Sequence, residues 1–180
     1  MNLLLNICKM KIKVSFRYVP ALVSNLSGQI LQMLLLFFFW TTIYHADQSI
    51  MQYVMFSRVV YGFIGGNSVW ELSENLKNGS VAVKLTKPMD YFTYTYVEYL
   101  ATQIANLFLV GIPLSIIAFF ISPVDISIIQ LILFFISLFL AISISFAFDY
   151  NISLVCIFTR NTWGISSLRD GLVQIFSGAI

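Results

Sequence analysis

Three ionisable residues, Arg58, Glu98 and Asp149, lie inside apolar stretches long enough to cross a bilayer. A cation within a membrane helix costs roughly 2.5–3.5 kcal/mol, so it requires a carboxylate, a carbonyl or water as partner. Arg58 is therefore predicted either to form a buried ion pair, with Asp149 favoured over Glu98, or to line a transport path. Glu98 lies within two turns of a predicted span end, so its carboxylate is expected to extend to the membrane surface.

A set of side-chain amides, Asn25, Gln29 and Gln32, falls on one stripe at helical spacing. In an apolar helix such amides commonly form hydrogen bonds to a neighbouring helix, and this interpretation is favoured over a role in lining a substrate path. In the next apolar stretch, Gly62 and Gly66 form a GxxxG pattern, which permits close approach of another helix. Both features predict contacts between membrane helices.

The sequence lacks the common motifs of catalysis. Cys8 and Cys156 have no CxxC spacing, His45 is the single histidine, and neither HExxH nor GxSxG occurs, so no metal site, cofactor or hydrolase chemistry is predicted. The motif GxxxxGK[ST] is also missing, so the chain cannot hydrolyse ATP itself. An intramembrane enzyme that uses the three ionisable residues above is a weaker alternative.

The elements that must position these residues are apolar helices. Of the 180 residues, 59% are hydrophobic and only 10% are charged, and the mean hydropathy is +0.87, which is typical of an integral membrane protein. The net charge of +2 gives no indication of nucleic-acid binding. The predicted fold class is all-α, a polytopic helical membrane protein.

Hydropathy and turn signals predict one membrane domain over residues 1–180, with four complete spans and the beginning of a fifth. A basic lead over residues 1–19 comes first, and no cleaved signal peptide is predicted because its apolar run is short. Pro113 is expected to kink the third span. The predicted spans are 20–44, 50–69, 91–121, 126–157 and, incomplete, 165–180.

One long polar stretch at residues 71–88, within the connection 70–90, is predicted to lie outside the membrane. Apolar residues at i, i+3 and i+7 predict a short amphipathic helix from about Val69 to Lys77, followed by an extended piece over 81–85. A helix lying on lipid headgroups and a docking element for another protein both fit this pattern. Its buried side holds Leu72 and Leu76, and its aqueous side holds Glu71, Glu74 and Lys77.

The basic residues are distributed unequally between the two sides of the predicted membrane domain. Of ten lysines and arginines, nine fall on one side of the four-span alternation, and the tenth, Arg58, is within a span. Because basic residues are enriched in cytoplasmic loops, the N-terminus and the polar segment are predicted to be cytoplasmic.

Two groups of residues together match the sequence pattern of a known protein family. The first lies in the polar segment and the second near the C-terminus, in the run FTRNTWGISSLRDGLVQIFSGAI. Over essentially its whole length the chain is similar to the transmembrane subunit of bacterial type-2 ABC exporters, the ABC-2 family transporter proteins. The residues that carry the resemblance are Glu71, Asn78, Gly79, Val81, Leu85, Lys87 and Pro88, then Asn161 to Gly164, Ser177 and Gly178.

The resemblance implies a non-catalytic permease subunit of an ATP-driven exporter in the bacterial plasma membrane. Its implied partners, besides the lipid bilayer, are an ATP-binding subunit and a second permease subunit. In this family the loop after the second span holds a coupling helix that docks on the ATP-binding subunit. Carried to this sequence, the docking residues are Glu71, Leu72, Glu74, Leu76 and Lys77.

The resemblance also makes the intramembrane polar residues candidates for the translocation path. Family members have six spans, so the 180-residue chain is expected to be a fragment or to be inactive alone. A non-transporting membrane scaffold is the remaining alternative. The path candidates are Asn25, Gln29, Gln32, Arg58, Glu98 and Asp149.

The predicted orientation is testable by labelling single cysteines in intact cells with a membrane-impermeant reagent. We expect Asp47→Cys and Asp125→Cys to be labelled from outside and Lys77→Cys to be protected, because only the Lys77 side carries the basic residues. Labelling of Lys77→Cys in intact cells would contradict the orientation.

Overall fold

The computed structural model describes residues 2–17, 19–42, 47–64, 68–87, 89–124, 127–159 and 162–177, and all regular secondary structure within them is helical. The predicted all-α class is therefore confirmed. A π-helical turn, Leu107–Gly111, joins α6 to α7. The helices in chain order are α1 Asn2–Arg17, α2 Val19–Thr42, α3 Gln48–Ile64, α4 Ser68–Lys77, α5 Ser80–Leu85, α6 Tyr91–Asn106, α7 Ile112–Ile121, α8 Ile128–Thr159 and α9 Thr162–Ser177.

Three helical stretches within the described ranges are long and apolar enough to cross a membrane. They are Val23–Thr42 in α2, Tyr91–Ile121, which runs from α6 through α7, and Ile128–Cys156 in α8. The predicted second and fifth spans correspond to the shorter helices α3 and α9, of 17 and 16 residues. At ~1.5 Å per residue, α3 is roughly 26 Å long, slightly less than a ~30 Å hydrocarbon core.

The apolar core lies between α2, α3 and the span formed by α6 and α7. Met33 of α2, Met55 of α3 and Leu114 of α7 are buried there, and Ala118 lets the helices approach closely. Because lipid is as apolar as these side chains, close packing rather than exclusion of water holds such a core together in a membrane. The side of α2 that faces this core repeats at coiled-coil spacing through Leu26, Ile30, Met33, Phe37 and Trp40.

An aromatic cluster joins α6 to α8. The buried ring of Phe146 has four aromatic neighbours, with ring centroids 5.4 Å from Phe92, 5.0 Å from Tyr96, 5.3 Å from Tyr99 and 5.8 Å from Tyr150. Tilted and edge-on pairs of this kind contribute about 0.5–1.5 kcal/mol beyond the area that they bury. The cluster therefore holds the N-terminal part of α6 against α8.

The span formed by α6 and α7 departs from α-helical geometry just before Pro113. Proline has no backbone N–H, and its ring crowds the carbonyl one turn earlier in a helix. A π-helical turn widens the backbone locally and is a recognised way to accommodate such a site. The irregularity predicted at Pro113 thus takes the form of the π-helical turn at residues 107–111.

The segment after α4 is a helix, so the extended conformation predicted for residues 81–85 is wrong. Gly79 has φ 70°, which reverses the chain at low cost because glycine has no Cβ. The next turn then places Lys84 so that its Nζ donates to Glu98 Oε2 at 2.7 Å. Contacts with α6 outweigh the alternating pattern, which is a weak signal over so few residues.

Side-chain contacts show which parts of the chain share an end of the helix bundle. Lys11 of α1 forms an ion pair with Glu71 of α4, and Lys77 of α4 contacts the beginning of α9. At the opposite end, Gln52 of α3 donates to the backbone oxygen of Pro123 at 2.7 Å. The N-terminal helix, the polar segment and the start of α9 therefore lie together at one end of the bundle.

Gly62 and Gly28 offer a matched test of helix packing in this core. A Cβ at Gly62 would lie 3.1 Å from Leu114 Cδ1 and 3.3 Å from Gln29 Oε1, whereas a Cβ at Gly28 would meet nothing within 4 Å. Crowding in a packed core costs roughly 1–3 kcal/mol, more than the ~1 kcal/mol that alanine gains over glycine in a helix.

We therefore expect Gly62→Ala to lower the thermal unfolding midpoint of the purified protein and Gly28→Ala to leave it unchanged or raise it. Equal midpoints for the two variants would show that α2 and α7 do not pack closely on α3.

Candidate docking and transport site

Helix α4 has one buried and one exposed side, in the amphipathic form that the sequence predicts. Val69, Leu72 and Ser73 are buried, and α4 packs through them onto α8 and α9. The Ser73 hydroxyl donates to the backbone oxygen of Val69 at 2.6 Å, so this buried polar group is satisfied inside the helix. Leu76 is half-buried and Glu74 is exposed.

The predicted docking residues on the aqueous side of α4 differ in their contacts. Glu71 pairs with Lys11 of α1, and Lys77 Nζ donates to the hydroxyl of Thr162. Glu74 forms no ion pair within the described part of the chain. Glu74 is thus the acid of this helix that is available to a partner.

Glu98 lies in an ionic network at the same end of the bundle. Its carboxylate accepts from Lys84 at 2.7 Å and from the Tyr94 hydroxyl at 3.2 Å, and Lys11 lies 3.8 Å away. The network joins α1, α4, α5 and α6. Sequence reasoning placed Glu98 near the membrane surface but did not identify these partners. The distribution of basic residues indicated only that Glu98, Lys11 and Lys84 lie on the same side of the membrane.

The charges around Lys11 change its acid–base behaviour. Burial by itself would lower the pKa of the Lys11 ammonium, but the hydrogen bond that Lys11 donates to Glu71 and the charges of Glu71 and Glu98 outweigh burial and raise that pKa above its usual value. Lys11 therefore remains charged at physiological pH, and the contact between α1 and α4 keeps its ionic character.

Arg58 is buried between α2 and α3. It donates to Gln29 Oε1 at 3.0 Å, and its guanidinium lies 4.9 Å from the ring centroid of Tyr61. The predicted pairing of Arg58 with Asp149 or Glu98 is wrong. Both carboxylates are already bound to nearer cations, so a side-chain amide and an aromatic ring serve as the partners of Arg58 instead.

Asp149 forms a buried ion pair with Arg169, which connects α8 to α9. Arg169 Nε and Nη2 donate to the two oxygens of Asp149 at 2.6 and 3.0 Å, and the two side chains are 1% and 0% exposed. Arg169 also donates to Ser145 at 3.1 Å and to Asp170 at 3.0 Å. The guanidinium is thus bound on several sides, which a desolvated cation requires.

Sequence reasoning missed the role of Arg169 because it counted this residue among the cytoplasmic cations. The sequence did contain an indication of this pair, because the short connection between α8 and α9 predicts that these two helices pack side by side. Arg169 is seven residues into α9 and Asp149 is ten residues before the end of α8, which places both at similar depth.

The remaining path candidates, Asn25 and Gln32, are exposed on α2 and form no side-chain hydrogen bond within the residues described. The other four path candidates occupy three further places: Gln29 with Arg58, Glu98 with its lysines, and Asp149 with Arg169. Among the described residues, no group of three or more His, Cys, Asp or Glu side chains could hold a metal ion.

These features define a polytopic helical membrane protein with an amphipathic helix at one end of the bundle. The family model of the ABC-2 family transporter protein matches residues 30–180, which include every helix from α3 to α9. The chain belongs to this family, which confirms the resemblance found in the sequence. No curated protein and no solved structure matches the chain.

The pair formed by Arg169 and Asp149 can be tested by comparing single and double replacements. Asp149→Leu removes the buried carboxylate and leaves Arg169 only Ser145 and the half-exposed Asp170, so we expect it to cost about 3–5 kcal/mol, whereas Asp149→Leu with Arg169→Met removes both buried charges and costs less. Thermal unfolding of the purified protein measures both. Asp170→Asn is the control, because Asp170 is half exposed and contributes little. A single variant as stable as the double variant would contradict a buried pair.

Proposed function

We propose that this chain is the membrane-spanning subunit of an ATP-driven exporter in the bacterial plasma membrane. Membership of the ABC-2 family and the long apolar helices support a membrane transport subunit. In this proposal α2, α3, α8 and the span from α6 to α7 cross the bilayer, and α9 begins a fifth crossing. The N-terminus and α4 lie in the cytoplasm, on the side that holds eight of ten basic residues once the buried Arg169 is left out of the count.

The observation that carries the proposal is the position and exposure of α4. The helix lies between the second and third predicted spans, packs through buried Val69 and Leu72, and leaves Trp70 and Glu74 exposed. Exposed tryptophan side chains are common at the centre of protein interfaces, and an exposed carboxylate favours a basic surface on the partner. We infer that α4 docks on a separate ATP-binding subunit, where ATP hydrolysis takes place.

The contacts of α4 explain how docking could move the membrane helices. The buried side of α4 packs on α8 and α9, and Glu71 holds α1 through Lys11. A displacement of α4 therefore acts on two predicted spans and on the N-terminal helix at once. In this proposal, those contacts couple the nucleotide cycle to the membrane domain.

The exposed amides of α2 support a second permease subunit as the other partner. Asn25 and Gln32 form no side-chain hydrogen bond in the described structure, and an amide without a partner is costly in hydrocarbon. We propose that this side of α2 faces a second permease subunit across the translocation path. Gln29 lies on the same helix and holds the buried Arg58 of α3 behind this side.

The intramembrane enzyme alternative loses its basis in this structure. It required Arg58, Glu98 and Asp149 to act together, and each of them is bound in a different network. A membrane scaffold without transport activity is distinguished from the proposal by whether an ATP-binding subunit is captured.

The docking role is tested by co-purification of the cognate ATP-binding subunit with two variants of α4. We expect Glu74→Lys to reduce capture because it reverses the exposed charge, and Leu76→Asp to reduce it because it disturbs the seating of α4 on the bundle. The matched controls are Asp90→Lys and Leu85→Asp, which alter exposed residues outside α4.

If Glu74→Lys and Leu76→Asp both retain the ATP-binding subunit while the permease is normally inserted, α4 is not the docking element. Loss of capture with the control variants as well would show a general effect of charge on the cytoplasmic surface.

A further inference from the structure

A cleft of about 250 Å³ lies between α4, α6 and α8, next to the ionic network, and Trp70 and Glu74 of α4 are among its lining residues. Its wall on α6 is the polar half of the third predicted span. Phe146 of the aromatic cluster closes it on the side of α8. Neither the family match nor the docking proposal assigns a role to this cleft.

Two deeply buried polar groups line the cleft without hydrogen bonds. Gln103 is 2% exposed, and its Oε1 accepts no hydrogen bond within the described structure. Tyr99 is 7% exposed, and its hydroxyl is buried at the same wall of the cleft. Native proteins rarely leave a buried amide oxygen unpaired, so Gln103 Oε1 indicates a missing hydrogen-bond donor, and the Tyr99 hydroxyl beside the cleft can accept from the same ligand.

Among the described residues, every charged side chain that lines the cleft is acidic. Glu71, Glu74 and Glu98 line it, and no lysine or arginine is among the described lining residues. From outside the cleft, Lys11 pairs with Glu71 and Lys84 pairs with Glu98, whereas Glu74 forms no ion pair within the described residues. The cleft therefore favours a cation over a neutral molecule or an anion.

The tryptophan of α4 adds a surface that suits an organic cation. Trp70 lines the cleft and is 41% exposed, so one part of its indole is free to contact a ligand. Cations bind the faces of aromatic rings, most strongly that of tryptophan. A bare metal ion fits less well, because the described residues include no set of ligands for one.

We propose that this cleft binds a small organic cation that carries a primary ammonium or guanidinium group. These groups have three and five N–H donors and no acceptor, which matches a lining of carboxylates, an amide oxygen and hydroxyls. The ligand donates to Gln103 Oε1 and Tyr99 Oη, and Glu74 balances its charge. This proposal does not depend on α4 docking to an ATP-binding subunit.

The experiment uses the full chain in nanodiscs of zwitterionic phosphatidylcholine, with putrescine and agmatine as probes and isothermal titration calorimetry as the measurement. Butane-1,4-diol is the neutral control, because it has the length of putrescine without its charge. We expect the two amines to bind and the diol not to bind. Fluorescence of Trp70 in a Trp40→Phe, Trp163→Phe background is expected to change with the amines alone.

Three variants locate the site. We expect Gln103→Leu to weaken amine binding by about tenfold or more, because a hydrogen bond to a charged ligand is lost. Tyr99→Phe removes one hydroxyl at constant shape, so it tests the same cleft if Gln103→Leu does not fold. The matched control is Asp90→Asn, which removes a negative charge at the same end of the bundle outside the cleft and is expected to bind normally.

Three results would overturn the proposal: equal binding of the diol and the diamine, unchanged amine affinity in both Gln103→Leu and Tyr99→Phe, or an equal loss of affinity in Asp90→Asn. A fourth contradicting result has two parts: no amine binds to the unmodified protein, and Tyr99→Phe reduces capture of the ATP-binding subunit. That result would assign the cleft to a basic side chain of the partner protein and not to a small molecule.

Discussion

The shortage of hydrogen-bonding partners in hydrocarbon is the constraint on which this structure depends. Each deeply placed charge in the described residues is bound by a neighbouring helix: Arg58 by Gln29 of α2, and Asp149 by Arg169 of α9. Such contacts add little net stability, because desolvation offsets most of the attraction. Their effect is to fix which helices are neighbours and at which depth, since a shifted helix would leave a buried charge without a partner.

The cytoplasmic end of the proposed topology is organised differently, by ion pairs that remain accessible to water. Lys11, Glu71, Glu98 and Lys84 connect the four helices α1, α4, α5 and α6. Partly exposed ion pairs are individually weak, so they can be rearranged at small cost. This end of the molecule thus combines defined contacts with the capacity to change them.

Composition and apolar runs were sufficient to predict the fold class and most helix positions, because a bilayer permits few other structures. The spacing of Leu72 and Leu76 was likewise sufficient to predict α4. The identity of polar partners was not predictable, since it depends on which helices are adjacent. Arg58 was therefore assigned the wrong partner, and Arg169 was counted as a surface cation. Residues 81–85 were misassigned because a tertiary contact of Lys84 outweighed a short alternating pattern.

The π-helical turn at residues 107–111 has a consequence for the two halves of the third predicted span. One additional residue in a helical turn rotates all that follows by about 100° relative to a regular helix. The half that carries Glu98 and Gln103 can therefore direct its polar side toward α4, while Leu114 and Ala118 point into the apolar core from a different angle. One continuous span thereby contacts a polar region beside α4 with its first half and the apolar core with its second half.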